Sequence, residues 1–84
     1  MYVSITNDDD EIKDYKKCYV DLSDGNTTRR VELEFSDKFI NWFKEREGLK
    51  RFSRKRFKNF LSENLEVSIE GDQVKMGFRQ QEGL

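Results

Sequence analysis

At Ser36 the spacing of apolar residues along this chain changes from every second position to every third or fourth. Before it, Cys18, Val20 and Leu22 alternate with polar residues, and Val31, Leu33 and Phe35 alternate with Arg30, Glu32 and Glu34. After it, Phe39, Ile40 and Phe43 form one stripe, and Phe57, Phe60, Leu61 and Leu65 form another. Alternation resumes at Val67 and Ile69 and continues in Val74, Met76 and Phe78. Strands put alternate side chains on one face, whereas helices repeat a face about every 3.6 residues. A chain of 84 residues has room for one core, so both patterns must bury against each other. That requires an α+β fold in a small single domain spanning 1–84.

The punctuation between these runs places the elements. Tyr2–Thr6 alternates and reads as a short strand, followed by an acidic loop at residues 7–11. Ser23-Asp24-Gly25-Asn26 is turn chemistry tolerant of positive φ, so Lys17 to Phe35 reads as a hairpin with one buried face and its return strand over Arg29–Phe35. Ser36 suits an N-cap and Gly48 the C′ position of a first helix. A connection of Gly48-Leu49-Lys50-Arg51-Phe52 leads to Ser53, the N-cap of a second helix over Arg54–Asn64. Gly71-Asp72 turns the last hairpin. The order is strand, β-hairpin, helix-turn-helix, C-terminal β-hairpin. Residues 36–79 are winged-helix-like, and 80–84 read as a frayed tail.

Composition removes whole classes of function. The chain has no His, so no catalytic or metal-ligating imidazole and no His pH switch exists. Its single Cys forbids an internal disulfide and a Cys-rich zinc site, and on the apolar face of its strand Cys18 reads as a small hydrophobe. The Asp8–Glu11 run lacks the spaced ligands and glycine of a calcium loop. No apolar run approaches membrane-span length or a secretory h-region, which places the chain in the cytoplasm, or a host cytoplasm if viral. We expect no catalysis, no metal and no cofactor. With 16 Lys plus Arg against 17 Asp plus Glu, neither a uniformly basic binder nor a uniformly acidic DNA mimic fits.

The near-cancelling total hides a segregation of charge. Residues 1–14 hold five acids against Lys13 alone, whereas residues 44–58 hold eight bases against Glu45 and Glu47. Arg54, Lys55 and Arg56 occupy the first turn of the second helix, at the positive end of its dipole. Each cation there costs roughly 0.3–1 kcal/mol in isolation, so folding alone would favour acids. Such violations are expected where a site is being built. On a helical wheel Arg54, Lys55, Lys58, Asn59 and Ser62 oppose the Phe57/Phe60/Leu61/Leu65 stripe, giving an exposed face that is basic and amide-bearing. Phosphate neutralisation and base-edge reading both use these residue types. The candidate nucleic-acid contacts are Lys50, Arg51, Arg54, Lys55, Arg56, Lys58, Asn59 and Ser62, with Lys75 reaching from the wing. A merely solvated helix face is the plainer reading.

Residues of about 35–79 also carry a family pattern. It runs from an aromatic helix with Phe39, Trp42 and Phe43 to Gly48, then Ser53 opening a helix with Phe57 and Leu61, and closes in Gly77-Phe78. In this it resembles the C-terminal winged-helix domain of phage, plasmid and poxvirus primase-helicases. A strand and hairpin stand where that family has a leading helix. The resemblance implies a stand-alone nucleic-acid-binding relative from a mobile element or virus.

Three functions are therefore open: a DNA-binding module, a small phage-type inhibitor or adaptor of a host protein complex, and a scaffold subunit pairing through a strand edge. In the second, Asp8, Asp9, Asp10 and Glu11 are the partner-binding residues. Monomer and homodimer are both compatible. Tyr15, Tyr19, Trp42 and Phe52 are candidate base-stacking rings, against the plainer expectation that aromatics in so small a domain are core.

Overall fold

The structure, a computed structural model, describes residues 2–79. The expected tail at 80–84 lies outside the described residues. Strands β1 (Tyr2–Thr6), β2 (Lys17–Ser23) and β3 (Thr28–Glu34) form an antiparallel sheet in the order β1-β2-β3. Helices α1 (Asp37–Glu47) and α2 (Arg54–Asn64) follow, and β4 (Leu65–Glu70) and β5 (Gln73–Phe78) make a separate two-stranded sheet. The α+β architecture with a helix pair and a C-terminal hairpin is the one expected.

Register puts the apolar residues where alternation requires. Val3 pairs with Leu22, Ile5 with Val20, Val20 with Val31, and Cys18 with Leu33, so all seven side chains share one face. Cys18, Val20 and Leu22 on the central strand are sealed, while Leu33 on the edge strand is partly exposed. The return strand is offset from its expected bounds by one residue, and Phe35 lies just beyond it. Its N–H donates to the Lys16 carbonyl, and its ring meets Phe57 edge-on at 5.1 Å.

All seven phenylalanines join one network of ring contacts. Phe57 is fully buried at its centre, 5.0 Å from Phe43 and 5.2 Å from Phe52. Trp42 and Phe43 both reach Phe60, so α1 and α2 are joined through rings. With no Ala in the chain, large rings fill this small core.

The helix ends obey the expected chemistry. Ser36 and Ser53 have extended backbones, and their hydroxyls accept from the N–H groups of Phe39 and Arg56. Gly48 sits at φ 66, its N–H donating to Glu45 and that of Leu49 to Lys44, which closes the helix and turns Leu49 inward. Gly48→Ala is expected to destabilise by about 1–2 kcal/mol through the left-handed backbone alone, seen as a lower thermal midpoint. One boundary differs from expectation. Leu65 belongs to β4, its N–H closing α2 on the Leu61 carbonyl while its own backbone is extended. The last hairpin therefore starts with no linker. Its tip is tied down, because Arg29 Nη1 donates to the Asp72 carbonyl at 3.1 Å.

Candidate nucleic-acid interface

The acidic loop is folded onto the start of α2. Ile12 is buried, and its N–H donates to the Asp8 carbonyl at 2.9 Å, which curls the loop. Asn7 is also buried and donates from Nδ2 to the Arg54 carbonyl at 3.0 Å. Arg54 answers with its guanidinium: Nη1 donates to the carbonyls of Asn7 and Ile12 at 2.9 and 2.7 Å, and Nη2 to that of Lys13 at 2.9 Å. Its Nε pairs with Asp9 at 2.8 Å. The expected place of Arg54 on the exposed face is thereby corrected. Helical side chains lean toward the N-terminus, so the first residue of α2 projects into the returning loop, and its planar fork matches three carbonyls.

The remaining acids of the loop are divided. Glu11 reaches Arg30 at 3.7 Å, and Arg30 also grips Asp21 in a two-pronged contact at 2.7 and 3.0 Å while lying 4.6 Å above the Tyr19 ring. The hydrogen bonds from Arg30 hold the Asp21 carboxyl below its usual range. Asp8 and Asp10 are exposed. Lys75, expected to aid from the wing, is held by Glu70 across the hairpin at 2.8 Å, a diagonal neighbour in the register. The wing tip carries Glu70 and Asp72 and is docked by Arg29, so it does not extend the basic surface.

What remains is a compact set of uncompensated cations. Lys50, Arg51, Lys55, Arg56 and Lys58 are exposed, and no carboxylate among the described residues lies within ion-pair distance of them. Six other cations, Lys16, Lys17, Arg30, Arg54, Lys75 and Arg79, are ion-paired, and Lys13, Arg29, Lys38, Lys44 and Arg46, spread over the rest of the chain, are not. Asn59 and Ser62 are exposed one and two turns further along α2, as the wheel predicted. A groove of about 490 Å³ runs beside this face, lined by Arg46, Ser53, Lys55, Arg56 and Asn59, with Glu47 and Glu63 also on its wall.

Comparison with protein-family models, curated proteins and solved structures finds no match to this chain.

Arg46 is the contributor that sequence reasoning missed. Its guanidinium lies 5.4 Å from the Phe60 ring and 5.8 Å from that of Trp42, which props it at the groove's edge. The signal was present in the four-residue spacing from Trp42. Of the proposed stacking rings, Tyr19 is covered by Arg30, and Trp42 and Phe52 pack against the core; Tyr15 is 42% exposed. Burial pushes the Cys18 thiol up to about 11, and the sulfur is fully enclosed. It should resist thiol reagents at pH 8 in the native protein and react at once in denaturant, with labelling rate as the readout. No cluster of potential metal ligands occurs among the described residues, and no helix is long and apolar enough to cross a membrane.

Proposed function

We propose that this chain is a sequence-tolerant DNA-binding module that presents α2 to a duplex. The observation that carries the reading is the sorting of the cations. Ten cations meet no carboxylate among the described residues, and five of these, Lys50, Arg51, Lys55, Arg56 and Lys58, fall between positions 50 and 58, around the start of α2. Phosphates supply the missing counter-charge, and released counterions drive the binding. Lys50 and Arg51 on the connection and Lys55, Arg56 and Lys58 on α2 take phosphates. Asn59 and Ser62, farther along the helix, are placed for base edges once the helix enters a major groove. The resemblance to primase-helicase winged-helix domains agrees with this use of a second helix. The alternative, a host-protein adaptor acting through Asp8, Asp9, Asp10 and Glu11, draws less support, because Asp9 and Glu11 already hold Arg54 and Arg30.

Fluorescence anisotropy with a labelled 20-base-pair duplex tests the proposal. Five phosphate contacts give a log–log salt slope of about −4.5, so affinity should fall some hundreds of fold between 50 and 200 mM salt. Absence of binding at 50 mM, or binding indifferent to salt, would falsify it.

A further inference from the structure

The geometry points to a second contact at the start of α2: Tyr15 is a stacking platform for one unpaired nucleobase, so the preferred ligand is a duplex with a single-stranded extension. The inference rests on the nucleic-acid reading above and adds to it the kind of strand recognised.

Tyr15 is mounted on a tight turn. Asp14 accepts from the Lys16 N–H through Oδ1 at 2.9 Å and from the Lys17 N–H through its carbonyl at 3.0 Å. These bonds make a tight turn whose second residue is Tyr15. The ring is braced against Phe52 at 5.0 Å, and Phe52 in turn packs on buried Phe57 at 5.2 Å. Tyr15 is therefore the outer member of a chain of tilted and edge-on ring contacts rooted in the core, yet it keeps 42% of its surface exposed. A large ring held rigidly at the surface loses little freedom on binding a flat partner.

Charge around the ring selects the partner. Phe52 is flanked in the chain by Arg51, and Lys50 precedes it; both are exposed and unpaired among the described residues. Lys13, two residues before Tyr15, is exposed as well, and its carbonyl is held by Arg54. Lys16 is neutralised by Asp37 at 3.3 Å. An exposed aromatic ring with cations close by in the chain is the kind of surface that single-stranded nucleic acid uses, bases on the ring and phosphates on the cations. An uncharged apolar partner would leave Lys13, Lys50 and Arg51 unanswered, and an intact duplex offers a free base face only at its ends.

The test compares a blunt 20-base-pair duplex with the same duplex carrying a six-nucleotide thymine tail. Wild-type protein should bind the tailed form about tenfold more tightly, a gain typical of one stacked base. Tyr15→Leu keeps an apolar cover over Phe52 but has no π-face; it should erase that gain and leave blunt-duplex affinity within about twofold. Tyr15→Phe should retain it. No gain from the tail, or a gain that survives in Tyr15→Leu, overturns the assignment while blunt-duplex binding keeps the wider reading alive. Failure of the wild type to bind either duplex removes both.

Discussion

Exchange of Lys55, Arg56 and Lys58 together for Glu is expected to abolish duplex binding and leave the domain folded. Each exchange moves the local charge by two units at a position proposed to face phosphate, and the three together should lower affinity by about a hundredfold or more at 100 mM salt. The three side chains are exposed and meet no carboxylate, so no internal contact is broken. The helix dipole adds a sign that makes the experiment decisive. Acids in the first turn of α2 are favourable there, so the thermal midpoint should hold or rise slightly as binding disappears. Lost affinity with a raised midpoint marks residues kept for a ligand at a small cost to stability. Unchanged affinity would instead leave the basic face as a solvated surface.

Arg54→Ala is expected to behave in the opposite way. Its guanidinium joins the start of α2 to the carbonyls of Asn7, Ile12 and Lys13, and to Asp9. Removing it strands those acceptors at a partly buried seam beside Asn7 and Ile12. The cost should be about 2–3 kcal/mol, since only the better-shielded of these charge-assisted bonds count at full weight. For a domain of this size that lowers the thermal midpoint by roughly 10–20 °C, a large share of a typical margin. Arg54→Lys should recover only part, because one ammonium cannot serve the fork of carbonyls. Duplex affinity of the folded fraction should stay within about threefold of wild type. An unchanged midpoint with lost affinity would return Arg54 to the phosphate-binding set.

The contrast between Arg54 and Lys55 shows where reading the chain alone stops. Both are basic, adjacent and on the same side of a helical wheel, and nothing local distinguishes them. What separates them is a loop more than forty positions away in the chain, whose carbonyls come back to the first residue of α2. Lys75 is a similar case, since the hairpin register brings Glu70 to it. Tyr15 is another. Its outward mounting depends on an Asp14 turn that alternation cannot reveal, and its bracing on a ring of the distant connection.

By contrast, Ser36, Gly48 and Ser53 announced both helices, and the Asp24-Gly25 and Gly71-Asp72 pairs announced both hairpins. These signals are local: a hydroxyl that accepts from an N–H three residues on, or a backbone that only glycine adopts freely, acts within one turn of chain. The sequence by itself determined the elements, their order, the buried face of each and the segregation of charge. Only the tertiary structure decided which cations meet an acid and which do not. Ion pairing depends on distances of a few ångströms between segments far apart in the chain, and those distances exist only once the core has closed.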